Sequence, residues 1–123
     1  MALDTVTDSM TPDGLILANG EYITDSATIA SGAGSLVRGT VMGKITTGGK
    51  LLKSLSAAVD GSQVPFCILL EDTDATSADK VAPVLIAAEV DGAKLTLGTA
   101  HTLASIKDGL RDLGIYIRTV SAV

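Results

Sequence analysis

Residues 36–52, LVRGTVMGKITTGGKLL, constrain the fold more than any other stretch. Val37, Val41 and Ile45 are apolar and β-branched, Gly39, Gly43, Gly48 and Gly49 interrupt them, and a Gly-Gly pair between strand-like residues is a turn dipeptide. The stretch predicts a β-hairpin. Glycine inside strand-like sequence marks a bulge or a close backbone approach, so the ribbon is expected to bend sharply instead of lying flat.

The flanking sequence reads as strands that can pack on this hairpin. Residues 51–59 are expected to continue as strand to the Asp60-Gly61 turn, and residues 63–71 form a second strand whose near-continuous apolar character predicts cover on both faces. A polar loop with Asx-type turn chemistry is expected over residues 72–80. Residues 82–91 then form a strand, which Asp91-Gly92 turns into a second hairpin through residues 94–97. Leu103, Ile106, Leu110 and Leu113 share one helical face, with Thr102 placed as N-cap and Gly114 as C-terminal cap, so residues 103–113 are expected to form the single helix. Residues 115–120 close the chain as a strand.

Ahead of the hairpin the character differs. Residues 1–12 are rich in Thr, Asp and Ser with few apolar side chains, which predicts a mobile arm. Residues 13–34 carry Leu15, Ile16, Leu17, Tyr22 and Ile23, an extended ribbon with one adhesive face, and residues 31–35, SGAGS, turn it into the β-rich remainder, 35–123.

Composition narrows what such a chain does. Apolar residues make up 46% of the sequence while aromatics make up 2% and Trp is absent, so the core must be built from Val, Ile, Leu and Ala. Hiding that much apolar surface in 123 residues favours burial against a partner, and self-association is the default expectation. A net charge of -5 with three scattered arginines argues against a nucleic-acid surface or an anionic membrane as partner. The longest apolar runs are interrupted by proline and are too short to span a bilayer. The first residues lack the basic and apolar segments of a secretory signal, and one cysteine cannot form an internal disulfide.

The order of these signals resembles a known family. Residues 11–50, TPDGLILANGEYITDSATIASGAGSLVRGTVMGKITTGGK, are similar to the opening segment of the bacteriophage head decoration (capsid cement) proteins of the lambda type. Asp60-Gly61-Ser62-Gln63, residues 71–75, Leu95-Thr96-Leu97-Gly98 and the helix ending in Leu110-Arg111-Asp112-Leu113-Gly114-Ile115-Tyr116 continue the similarity. The resemblance implies a mostly β, β-clip-like or barrel-like domain with one C-terminal helix and a flexible N-terminal arm. It implies a non-enzymatic homotrimer, made in the host cytoplasm and without cofactors. Such trimers sit on the outside of an expanded capsid at three-fold positions and hold it against genome pressure. The major capsid protein is then the partner, reached when the arm adds a strand to it, and Leu15, Ile16, Leu17, Tyr22 and Ile23 are the expected capsid or subunit contacts. Three arms per trimer would multiply weak contacts into avidity.

Competing readings attach to single residues. Asp72, Asp74 and Asp79 fall near a calcium-loop spacing, but Thr76 and Ser77 occupy positions the template reserves for a ligand and a glycine. Lys80 in ADKVA is similar to the modified lysine of lipoyl carriers, the basis of an alternative reading as a lipoyl-like or β-clip domain of an enzyme complex. That reading needs Lys80 at a hairpin tip. His101 has no second histidine with which to bind metal, Cys67 reads as a buried hydrophobe, and Glu71 and Glu89 read as strand-end or intersubunit charges.

Overall fold

The computed structural model describes residues 15–17 and 22–118. Along them run β1 (Ile23–Ile29), β2 (Gly34–Leu36), β3 (Val41–Lys44), β4 (Leu51–Lys53), β5 (Pro65–Leu69), β6 (Thr73–Ala75), β7 (Lys80–Asp91), a 3-10 turn (Gly92–Lys94), helix α1 (Leu103–Leu113) and β8 (Ile115–Arg118). The mostly β architecture with one C-terminal helix matches expectation. Strands β1, β4, β3, β5 and β7 pair in that order, and β1 returns to pair with β7, closing a five-stranded barrel. Strand β8 adds to the far half of β7 in parallel, from Ala88↔Ile115 to Asp91↔Arg118.

The twelve-residue β7 holds this arrangement together. It is antiparallel to β1 and β5 along its first half, and its second half is flanked by β8 and by residues 15–17. One register shift lets it serve two cores: Thr24 faces Leu85 but Ile23 faces Ala87, leaving Ile86 as an extra residue that changes which face the following side chains take. Before the bulge, Ala82 and Val84 point into the barrel with Ile29, Met42, Leu51, Cys67 and Leu69. After it, Ala88 and Val90 pack with Leu85 in a second core, outside the barrel wall, with Ile68, Ile106, Leu110, Ile115 and Ile117. Strand β5 is thus covered on both faces, as its apolar run predicts.

The glycine-rich hairpin forms with its turn at Gly48-Gly49, both at positive φ, and with Met42↔Lys53 and Lys44↔Leu51 in register. Its bend has a local cause. Gly43 lies at a bulge opposite Pro65 and backs directly onto the Ser62 backbone, leaving no room for a Cβ. The hairpin is shorter than expected, because Leu36 belongs to β2, which pairs with β6 in a separate two-stranded sheet. That pairing also places a strand inside the expected 72–80 loop.

Two further expectations fail for identifiable reasons. The strand expected over 51–59 stops at Lys53, where the fully buried Ser54 donates its N–H to the Val41 carbonyl at 3.0 Å and the chain turns away. No hairpin follows Asp91-Gly92. The Asp91 carboxylate accepts from the Ala93 N–H at 3.0 Å and caps the 3-10 turn, after which Thr96 bridges to Thr40 in parallel. The helix keeps its expected bounds, with the Thr102 hydroxyl accepting from the Ser105 N–H and Gly114 left-handed at φ 102°. Residues 1–12, and residues 119–120 of the expected last strand, lie outside the described residues.

Candidate functional site

The alternation of β8, with Ile115 and Ile117 turned into the helix-side core, leaves Tyr116 facing out. It meets the outward side of β7 beyond the bulge, Ala87 and Glu89, and the start of β1. Tyr22, Ile23, Ala87, Ala88, Glu89, Gly114 and Tyr116 line an open cleft of about 280 Å³. A second cleft of about 280 Å³ is lined by Asp25, Ala27, Phe66, Val84, Ile86 and Leu113. Ile86 and Ala87, and likewise Leu113 and Gly114, are chain neighbours, so the two clefts belong to one continuous face across β1, β7, β8 and the end of α1. Large apolar side chains on it stand well out of the protein: Ile23 is 57% exposed, Tyr116 47%, Leu113 45% and Phe66 38%.

Charged groups border both clefts. The Arg118 guanidinium bonds the Glu89 carboxylate at 2.9 Å, the Lys44 ammonium sits 5.2 Å from the centre of the Phe66 ring, and the Asp25 carboxylate accepts from the Ser26 N–H at 2.8 Å. Exposed contacts of this kind add little to stability.

Of the five side chains expected to make contacts, the structure brings Tyr22 and Ile23 together in the first cleft. Leu15 and Ile16 are turned inward at 1% and 4% exposure, into the helix-side core, because residues 15–17 form a short antiparallel bridge with the end of β7. The Leu17 N–H donates to the Glu89 carbonyl at 3.0 Å and the Asp91 N–H to the Leu15 carbonyl at 3.0 Å. Leu15 and Ile16 thus belong to the helix-side core, and β1 forms part of the barrel wall. Phe66, Ile86, Leu113 and Tyr116 escaped the sequence reading as surface residues. The alternation Ile-Tyr-Ile-Arg is the signal that could have placed Tyr116 outward. Leu113 lies on the apolar stripe of α1 and is exposed only because the helix ends beyond the core.

The other candidates resolve individually. Burial pushes the Cys67 thiol up to about 12. Asp74 accepts from the hydroxyl and N–H of Thr76, Asp79 pairs with Lys50 and accepts from the Ser31 N–H, and Asp72 accepts from the Arg38 N–H, so the three carboxylates are committed separately and do not converge. Hydrogen bonding holds Asp74 below the usual carboxylate range, through the Thr76 hydroxyl first. Asp79 is lowered chiefly by Lys50, and Asp60 chiefly by the Ser62 hydroxyl. Lys80 opens β7 opposite Ile29, in the barrel wall and not at a hairpin tip. The His101 ring lies within hydrogen-bond distance of Ser54 Oγ, the Gln63 carbonyl and Ser105 Oγ, tying the 54–64 segment to the start of α1. Glu71 is exposed and Glu89 is bound to Arg118.

The sequence model of the family described as Bacteriophage lambda head decoration protein D matches residues 6–116. The chain belongs to that family. No match was found among curated proteins. Membership gives this head decoration protein a structural role on a phage head, with the capsid as binding partner. The match includes the ring strands, α1 and β8 as far as Tyr116, so the exposed face lies within the part of the chain that carries the family signature.

Proposed function

We propose that this chain binds the exterior of an expanded phage capsid as a homotrimer at three-fold positions and stabilises the shell mechanically against the pressure of the packaged genome. The family match over residues 6–116 is the observation that carries the reading. A net charge of -5 supports a place outside the shell, away from the packaged DNA. In this reading the protein performs no catalysis and requires no cofactor. Binding energy comes from arms that add strands to the major capsid protein and from avidity across three copies.

The arm is assigned to residues 1–12, followed by the strand pairing of residues 15–17 with β7 that fastens it to the body. Removing residues 1–12 tests this. The truncated protein is expected to keep the assembly state of the full chain and to cosediment poorly with expanded heads; saturation of heads at the full-length affinity would contradict the arm's role.

A further inference from the structure

The ring of strands closes at its shortest junction. Strand β1 pairs with β7 along its whole length, from Ile23 to Ile29, but with β4 only through Ile29↔Leu51, where the Ala30 N–H donates to the Leu51 carbonyl at 2.9 Å. Every other junction of the ring has more than one residue pair. The barrel core lies behind this seam: Ile29 and Leu51 are 0% and 1% exposed and pack in one cluster with Cys67. One rung of main-chain bonding is what β1 and β4 themselves offer against parting.

Asp79 spans the seam on its solvent side. It immediately precedes β7, whose Lys80 is the residue paired with Ile29. One carboxylate oxygen accepts from the Ser31 N–H at 2.8 Å, just past the end of β1, and the other accepts from the Lys50 ammonium at 2.6 Å, just before the start of β4. A single side chain thus ties together the segments on both sides of the seam and fixes them to the start of β7. The Lys50 and Asp79 side chains are 47% and 41% exposed, so their pairing adds little to global stability. Local opening is governed differently, because it involves few contacts, and two charge-assisted bonds are a large part of what resists it. We propose that Asp79 is a latch on the β1–β4 seam, and that without it the barrel opens there while the rest of the protein stays folded.

Cys67, the chain's one cysteine, is buried in the core that the seam covers, so thiol labelling reads the opening directly. In the wild type the latch holds labelling to the rate of global unfolding. Asp79→Asn keeps an acceptor for the Ser31 N–H and loses the bond from Lys50, whereas Asp79→Ala loses both. At low urea, labelling is expected to outrun each variant's own unfolding rate, followed by circular dichroism, by ~10-fold or more for Asp79→Ala and ~3-fold or more for Asp79→Asn. It should also be nearly independent of urea, the mark of an opening that exposes little surface. Lys50→Met should reproduce Asp79→Asn, and the double variant should label no faster than either alone, since both changes remove the same bond. If Asp79→Ala does not fold, Asp79→Asn and Lys50→Met carry the test. Glu89→Gln is the control: it breaks the exposed pair with Arg118, on the half of β7 that pairs with β8, and Cys67 should stay protected. Labelling of the Asp79 variants that merely follows their global unfolding would overturn the proposal. So would equal acceleration by Glu89→Gln, or wild-type protein that is labelled faster than it unfolds.

Discussion

A methyl group added at Gly43 would overlap the Ser62 carbonyl, whereas one added at Gly109, in the middle of α1, would meet nothing within 4 Å. The same chemical change therefore has opposite expected signs. Gly43→Ala should destabilise by about 1–3 kcal/mol, because two backbone segments must separate. Gly109→Ala should stabilise by about 0.5–1 kcal/mol through the lower helix cost of alanine. Urea unfolding midpoints of the two variants check both. Cys67 offers a second residue-level test: it lies fully buried in the barrel with its thiol pushed up to about 12, so thiol reagents at pH 8 should label it only at the rate of unfolding. Fast labelling in native buffer would mean that the barrel opens.

Helix α1 covers the outer face of β5, β7 and β8 through Ile106 and Leu110. Leu110→Ala should cost about 2–5 kcal/mol, since the cavity forms between rigid sheet and helix. The loops are held differently, by Asp60, Asp74 and Asp79, whose carboxyls are lowered by hydrogen bonds from Ser62, from Thr76, and from Lys50 and Ser31. A carboxyl that titrates lower in the folded chain than in the unfolded one adds stability above the unfolded value near 3.8, and loses it as pH falls through the folded value. Unfolding midpoints should thus hold at neutral pH and drop below about pH 4. Asp79→Asn should soften that drop while weakening the neutral-pH state. Local pattern made α1 and its caps legible, because the periodicity, Thr102 and Gly114 all act within a few residues. The barrel's closure was not legible. It depends on one extra residue at Ile86 and on β1 pairing with β4 and β7, and neither contact leaves a local trace in the sequence. Leu15 and Ile16 are legible in the sequence as apolar side chains, but their place in the helix-side core is set by β7, seventy-odd residues along the chain.

At the scale of the molecule, a ring of strands encloses an aliphatic core and a helix seals a second core on its outer wall. Mechanical reinforcement calls for a rigid body, and here strands β5 and β7 each contribute side chains to both cores. The account's central claim is that this body decorates the outside of a phage head and holds it together. Reconstruction by cryo-electron microscopy of expanded heads that lack the protein, before and after its addition at saturating concentration, tests that claim most directly. The account predicts new trimeric density on the outer surface at the three-fold positions, together with retention of the packaged genome under heating that ruptures undecorated heads. Heads whose exterior is unchanged at saturating protein would contradict it.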